Sequence, residues 1–274
     1  MSERGGGAVV VFTDLLASAA KLPGVRIDRE KYLRISLRNL VDEETIRKAV
    51  AHTPADAGIP LDIIDKIAKE SIKFEATRVT ALSAAAGVPG LLALPATMPV
   101  DMAQYLGHML RISQKLAYLY SWPDLFEERS VEADDGTQAV LTLFVGVMFG
   151  AQSANLAVSK LSIMLSEQVA RKLPEKALTQ GVIYPLVKKV AALLGQQMTK
   201  QVFARGVSKA VPVIGAVVSG GVTLASFLPM ANRLKKHLSS LVRDRPKRYD
   251  VSLPMPSTEE NLALEHSATY EQKD

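Results

Sequence analysis

Cysteine is absent from the 274 residues, which excludes disulfides, thiolate metal sites and thiol nucleophiles and fits a reducing compartment. Aromatic residues are scarce, at 5% with a single Trp, against 48% hydrophobic residues overall. Ala, Leu and Val supply most of that hydrophobic content, a balance that favours packed helices over a β-sandwich. The expected fold is therefore all-α. A long N-terminal apolar run is also missing: Ala8 to Phe12 is cut short by Thr13 and Asp14, too soon for a signal-peptide core. Neither the glycine needed for myristoylation nor the cysteine needed for prenylation is at its terminus. The protein is expected not to be exported, and any membrane contact is expected to come from the fold.

Acidic residues are nearly missing from one stretch. Lys176 to Arg248 holds thirteen Lys and Arg against Asp244 alone, whereas 249–274 holds six acids and one Lys. A field of this kind suits an anionic membrane surface or nucleic acid, or is simply a solvated basic face. Nucleic acid is disfavoured because no reading element and no interleaved stacking aromatics accompany the charge. Tyr184, Phe203 and Phe227 fall within helical apolar patterns. A membrane surface asks only for charge and an exposed apolar face.

The usual signatures of chemistry are missing too. No glycine-rich stretch ends in the Gly-Lys-Ser/Thr that cradles phosphates. Gly215 to Gly221 follows no strand signal and does not match a dinucleotide fingerprint. Ser219 precedes Gly220, but Val217 occupies the place of the first glycine of a nucleophile elbow. His52, His108, His237 and His266 form no metal pair at helical spacing. No catalytic residue, metal ligand or cofactor site is assigned.

What is present is a succession of helix signals. Asp28 and Asp42 are placed to cap helices, with Glu43 and Glu44 favoring the positive end of the second and Thr53-Pro54 ending it. Ile63, Ile64, Ile67, Ala68, Ile72 and Val79 keep helical spacing from Leu61 to about Ala86. After Pro99 a further helix is expected, with Met102, Leu106, Met109 and Leu116 on one face. Asp101, Gln104, His108, Arg111 and Lys115 lie on another. Asp101, His108 and Arg111 are a candidate polar cluster, since charges on one face at these spacings couple. It is either a solvated polar stripe or a buried cluster facing the proline-interrupted segment before it.

Three uncharged runs stand out: Val79 to Val100, Thr137 to Ser159, and Ala210 to Asn232. The first contains Gly87, Pro89, Gly90, Pro95 and Pro99, which would each break a spanning helix in lipid and suggest a broken hairpin buried in protein. The second spaces Gly146, Gly150 and Ala154 every four residues, a small-residue stripe that permits close helix approach in membranes or in a tight soluble hairpin. The third is bounded by Pro212 and Pro229, leaving a segment short for a ~30 Å hydrocarbon core. Gly215, Ser219 and Gly220 mark it as a candidate packing or membrane hairpin. Arg233, Lys235, Lys236 and Arg243 follow on a basic helix as candidate contacts to an anionic surface.

Two separated segments carry a family resemblance. AAGVPGLLALPATMPVDMAQYLGHMLRISQKLAYLYSWPDL and ARGVSKAVPVIGAVVSGGVTLASFLPMANRLKKHL resemble the bacterial EcsC family: a glycine-containing turn, paired prolines and a Tyr-rich helix end, then a Lys, Pro, Val, Gly, Gly hairpin. The resemblance covers about Ala57 to Leu241. Ser121 departs from it, standing after Tyr120 where glycine is expected. What it implies is a helical, membrane-associated protein, accessory to a transporter or secretion system, with no catalytic residues to carry over.

The combined expectation is an all-α multi-helix bundle with apolar Gly/Ala/Pro-rich hairpins. It comprises an N-terminal extension (1–27), one helical domain (28–248) and a disordered acidic tail (249–274). Its expected function is non-enzymatic association with the inner face of the cell membrane, from the cytoplasm and through anionic lipid. The alternative is a soluble helical protein enclosing a lipid or other apolar ligand, and the third is an enzyme of unrecognised type.

Overall fold

The computed structural model describes residues 3–86, 94–126, 133–167, 172–208 and 215–244, with the backbone alone described at 3–8, 11, 81–86, 94–101, 167, 198–208 and 215–223. It is an all-α multi-helix bundle, with no strand among the described residues. The helices are α1 (Glu3–Ala20), α2 (Arg29–Leu37), α3 (Glu43–Ala51), α4 (Leu61–Ala86), α5 (Leu94–Leu119), α6 (Asp135–Met148), α7 (Gln152–Glu167), α8 (Glu175–Thr179), α9 (Tyr184–Ser208) and α10 (Gly215–Arg243).

The caps form as their sequence predicts. Asp28 accepts from the Lys31 amide at 2.8 Å and Asp42 from the Thr45 amide at 2.9 Å, each satisfying a donor that the first helical turn leaves free. Asp134 does the same for Thr137 at the start of α6, at 2.6 Å. The last carbonyls of α3 are met from outside, because Arg29 donates to Ala49, Val50 and His52.

Two helices form the centre. α6 is buried at nearly every position from Gly136 to Met148, as an uncharged segment without an exposed face requires. α5 is buried almost continuously from Met102 through Tyr120 and contacts α1, α2, α4, α6, α9 and α10. Trp122, just past its end, packs edge-on against Phe144 of α6 with ring centroids 4.9 Å apart. α10 lies along α4, and α1 lies along α9 and α5. The segment expected as an N-terminal extension thus contributes Phe12, Leu16 and Ala19 to the common core. Buried Gln114 fixes the turn that follows α1: its amide donates to the Val25 carbonyl at 3.0 Å, and its oxygen accepts from the Ile27 amide at 2.8 Å. The expected tail, 249–274, and positions 87–93, with Gly87, Pro89 and Gly90, lie outside the described residues.

Three expectations are revised. α5 starts at Leu94, so Pro95 and Pro99 fall in its first two turns instead of preceding it; Pro95 removes only an amide that has no intrahelical partner, whereas Pro99 forgoes one helical bond. The described part of the third uncharged run, 215–232, is not a hairpin followed by a separate basic helix. From Gly215 the chain runs as one helix through Pro229 to Arg243. Pro229 is exposed, so the carbonyl it leaves unbonded can be hydrated, and the interruption is tolerated. The polar face of α5, finally, is not a solvated stripe from His108 onward: His108 and Lys115 are buried and Arg111 half-buried, while Gln104 is exposed.

Candidate functional site

Glu75 stands on the buried stripe of α4, three residues after Ile72 and four before Val79, and its side chain is wholly inaccessible. An uncompensated carboxylate there would cost several kcal/mol. α5 supplies the compensation from positions 108, 111 and 115, which helical spacing brings to one face. His108 Nδ1 donates to Oε2 at 3.0 Å, Lys115 Nζ to Oε1 at 2.6 Å, and Arg111 Nε to both oxygens at 3.2 and 3.3 Å. Burial alone would raise the Glu75 pKa, but the His108 hydrogen bond and the charges and donors of Lys115 and Arg111 outweigh it and hold the carboxyl at about 2.

Lys115 is enclosed by aromatic surface as well. Its ammonium lies 5.2 Å from the Phe74 ring centroid and 5.8 Å from that of Tyr32, within range of cation–π attraction. Tyr32 hydrogen-bonds Ser71 across 2.7 Å, and burial pushes its hydroxyl up to about 12. Burial also lowers the Lys115 pKa; Glu75 opposes this, while Arg111 and Arg78 add to it. Arg78 caps the other aromatic contact, 5.6 Å from the Phe74 centroid.

A second polar junction ties α4, α5 and α10. The Tyr120 hydroxyl donates to Asp65, and Lys235 Nζ stands 3.2 Å from the same carboxylate. Burial would raise Asp65, yet the bonds from Tyr120 and Lys235 bring it below its ordinary value; burial and Asp65 together raise the Tyr120 hydroxyl.

The other sequence candidates separate into different places. Asp101 lies on α5, but its side chain is outside the described residues, as are those of Ser219 and the glycine surroundings at Gly215 and Gly220 on α10. Gly146, Gly150 and Ala154 do not form a stripe on one helix. Gly150 turns the chain between α6 and α7 at φ 80°, with the Ala151 amide bonded to Gly146 O and the Gly150 amide to Val147 O, a left-handed helix ending that favours glycine. Gly146 and Ala154 then face each other across the hairpin. A Cβ added to Gly146 would stand 2.4 Å from Val190 Cγ1 and 2.8 Å from Ala154 Cβ. Gly146 and Ala154 thus pack closely, brought together by the turn at Gly150.

The four basic candidates divide in two. Arg233 donates to Met148 O at 3.1 Å, meeting a carbonyl at the end of α6, and Lys235 is committed to Asp65. Lys236 and Arg243 are exposed, as is Arg233 itself despite its bond to Met148 O. Glu75, Asp65 and Tyr120 were not singled out from sequence. The readable signal was Glu75 itself, an acid on the apolar stripe of α4, which needs cations from another element.

Chemically, the Glu75 cluster is a multiply bonded ionic lock with a basic rim. No group of three or more His, Asp or Glu suited to a metal is found among the described residues. No protein-family model matches this chain, and no curated protein or solved structure matches it.

Proposed function

We propose that the protein is a non-enzymatic helical protein that binds an anionic membrane surface through its basic C-terminal half, at the cytoplasmic face of the cell membrane. The observation that carries this reading is charge placement. Lys176, Lys188, Lys189, Lys236 and Arg243 are exposed, and none is ion-paired with a described acid, so their charge is free to meet headgroups. No helix of the described residues is long and apolar enough to cross a membrane, which supports attachment at the surface over crossing. The resemblance of the two motif-bearing segments to the EcsC family supports the same assignment and an accessory role beside a transporter or secretion component.

Cosedimentation with vesicles tests it. The full chain is expected to pellet with vesicles rich in phosphatidylserine and to be released by salt, and to stay in solution with phosphatidylcholine alone. Protein that binds neither vesicle, and yields stoichiometric lipid on native mass spectrometry, would instead be a soluble carrier of an apolar ligand.

A further inference from the structure

Around Glu75 the charges do not balance. Arg111 and Lys115 both bind its carboxylate, and a third cation, Arg78, shares the Phe74 ring with Lys115. Arg78 and Arg111 are near enough to Lys115 to depress its pKa further, beyond the larger effect of burial. Glu70, the neighbouring acid on the outward side of α4, lies about two turns before Arg78.

A positive surplus in a partly desolvated place calls for an anion with several acceptor oxygens. Guanidinium groups match phosphate oxygens in paired hydrogen bonds. The bonds of Arg111 to Glu75 use only its Nε, and its Nη1 lies beside Gly24, where an added Cβ would stand 3.5 Å away. Arg78 is exposed, and Phe74, 56% accessible, places an apolar surface next to the cations.

We propose that Arg78, Arg111 and Lys115, with Phe74 at the rim, form a binding site for a phosphate ester, either in a lipid headgroup or in a free phosphate compound. Glu75 is the resident counter-ion: it holds Arg111 and Lys115 in place while leaving a net positive charge for the ligand. In the lipid case the site rests on the membrane reading above and deepens it, since Phe74 would lie against the acyl region. In the free case it stands without that reading.

The test pairs calorimetric titration of the full chain with inorganic phosphate and flotation with phosphatidylcholine vesicles containing phosphatidic acid. Wild type is compared with Arg78→Gln and with Lys66→Gln, an exposed α4 lysine outside both proposed surfaces. Arg78 is exposed, and a thermal melt establishes that its variant folds. Expected are phosphate binding by wild type, weakening by about tenfold or more in Arg78→Gln, and no change in Lys66→Gln. Phosphate binding without vesicle capture assigns the site to a free phosphate compound and removes the membrane reading. Vesicle capture without phosphate binding, and equal in Arg78→Gln, leaves the membrane reading standing and overturns the site. Absence of binding to both probes overturns both.

Discussion

Lys115 Nζ lies 2.6 Å from Glu75 Oε1 across the α4–α5 interface, with both side chains almost inaccessible to solvent. Removing one member leaves charge buried without its partner, which is costlier than never having had the pair. Glu75→Gln is expected to destabilise the fold by ~3–5 kcal/mol in chemical denaturation. Adding Lys115→Met should recover part of that loss, so that the two changes sum to more than the double variant shows. Strict additivity would mean the pair contributes nothing as a pair.

Acid should unfold the protein through the same carboxylate. Glu75 has an ordinary pKa near 4.5 and is held at about 2 in the fold, so the unfolded chain binds the proton more tightly. Its stabilising contribution is complete above the unfolded value and is lost as pH falls from about 4.5 towards 2, amounting to on the order of 3 kcal/mol. Denaturation midpoints recorded through this window should fall more steeply for wild type than for Glu75→Gln. Parallel pH profiles would remove Glu75 from the account of acid sensitivity.

Ser121 closes α5 in a left-handed conformation, φ 69°, with the Trp122 amide bonded to Ala117 O and its own amide to Tyr118 O. That geometry explains why glycine was the expected residue there. Serine bears a strain of roughly 1–2 kcal/mol and gains a buried hydrogen bond, its hydroxyl accepting from the Ala55 amide at 3.0 Å. Ser121→Ala keeps the strain and loses the bond, so it should lower stability by about 1–2 kcal/mol. Ser121→Gly loses the bond but relieves the strain, and should melt above the alanine variant. The reverse order would show that the backbone is unstrained.

Gly146→Ala should be poorly tolerated, because the new methyl would meet Val190 and Ala154 well inside normal contact. A loss of about 1–3 kcal/mol or more is expected. Val190→Ala makes room at that place, so Gly146→Ala should cost less in the Val190→Ala background than in wild type. Equal cost in both backgrounds would place the crowding elsewhere.

How far the sequence reaches is clear from individual residues. Local signals were legible: Asp28 and Asp42 cap as their positions predict, and α4 spans Leu61–Ala86 as its apolar spacing indicates. Within the second uncharged run, α6 packs as a helix buried on every side, since it has no charge to expel. The single-helix course of α10 was not legible, because Pro229 signals a break and only its outward placement makes it tolerable. Nor was the Glu75 cluster: its groups lie on two helices more than thirty residues apart, and a polar face on α5 looks the same whether water or a carboxylate covers it. The bond of Arg233 to Met148 O and the commitment of Lys235 to Asp65 were hidden for the same reason, as charge in a sequence does not reveal which partner it finds.

Vesicle cosedimentation of a charge-depleted variant tests the proposed function most directly. Replacing Lys188, Lys189, Lys236 and Arg243 with Gln removes exposed cations and should weaken binding to phosphatidylserine vesicles by about 100-fold or more, with the melting temperature little changed. Lys235→Gln should do the opposite, lowering the melting temperature while retaining vesicle binding, because its charge belongs to Asp65. Equal vesicle binding by the charge-depleted variant and wild type, or no binding by wild type at low salt, would contradict the assignment of this surface to the membrane.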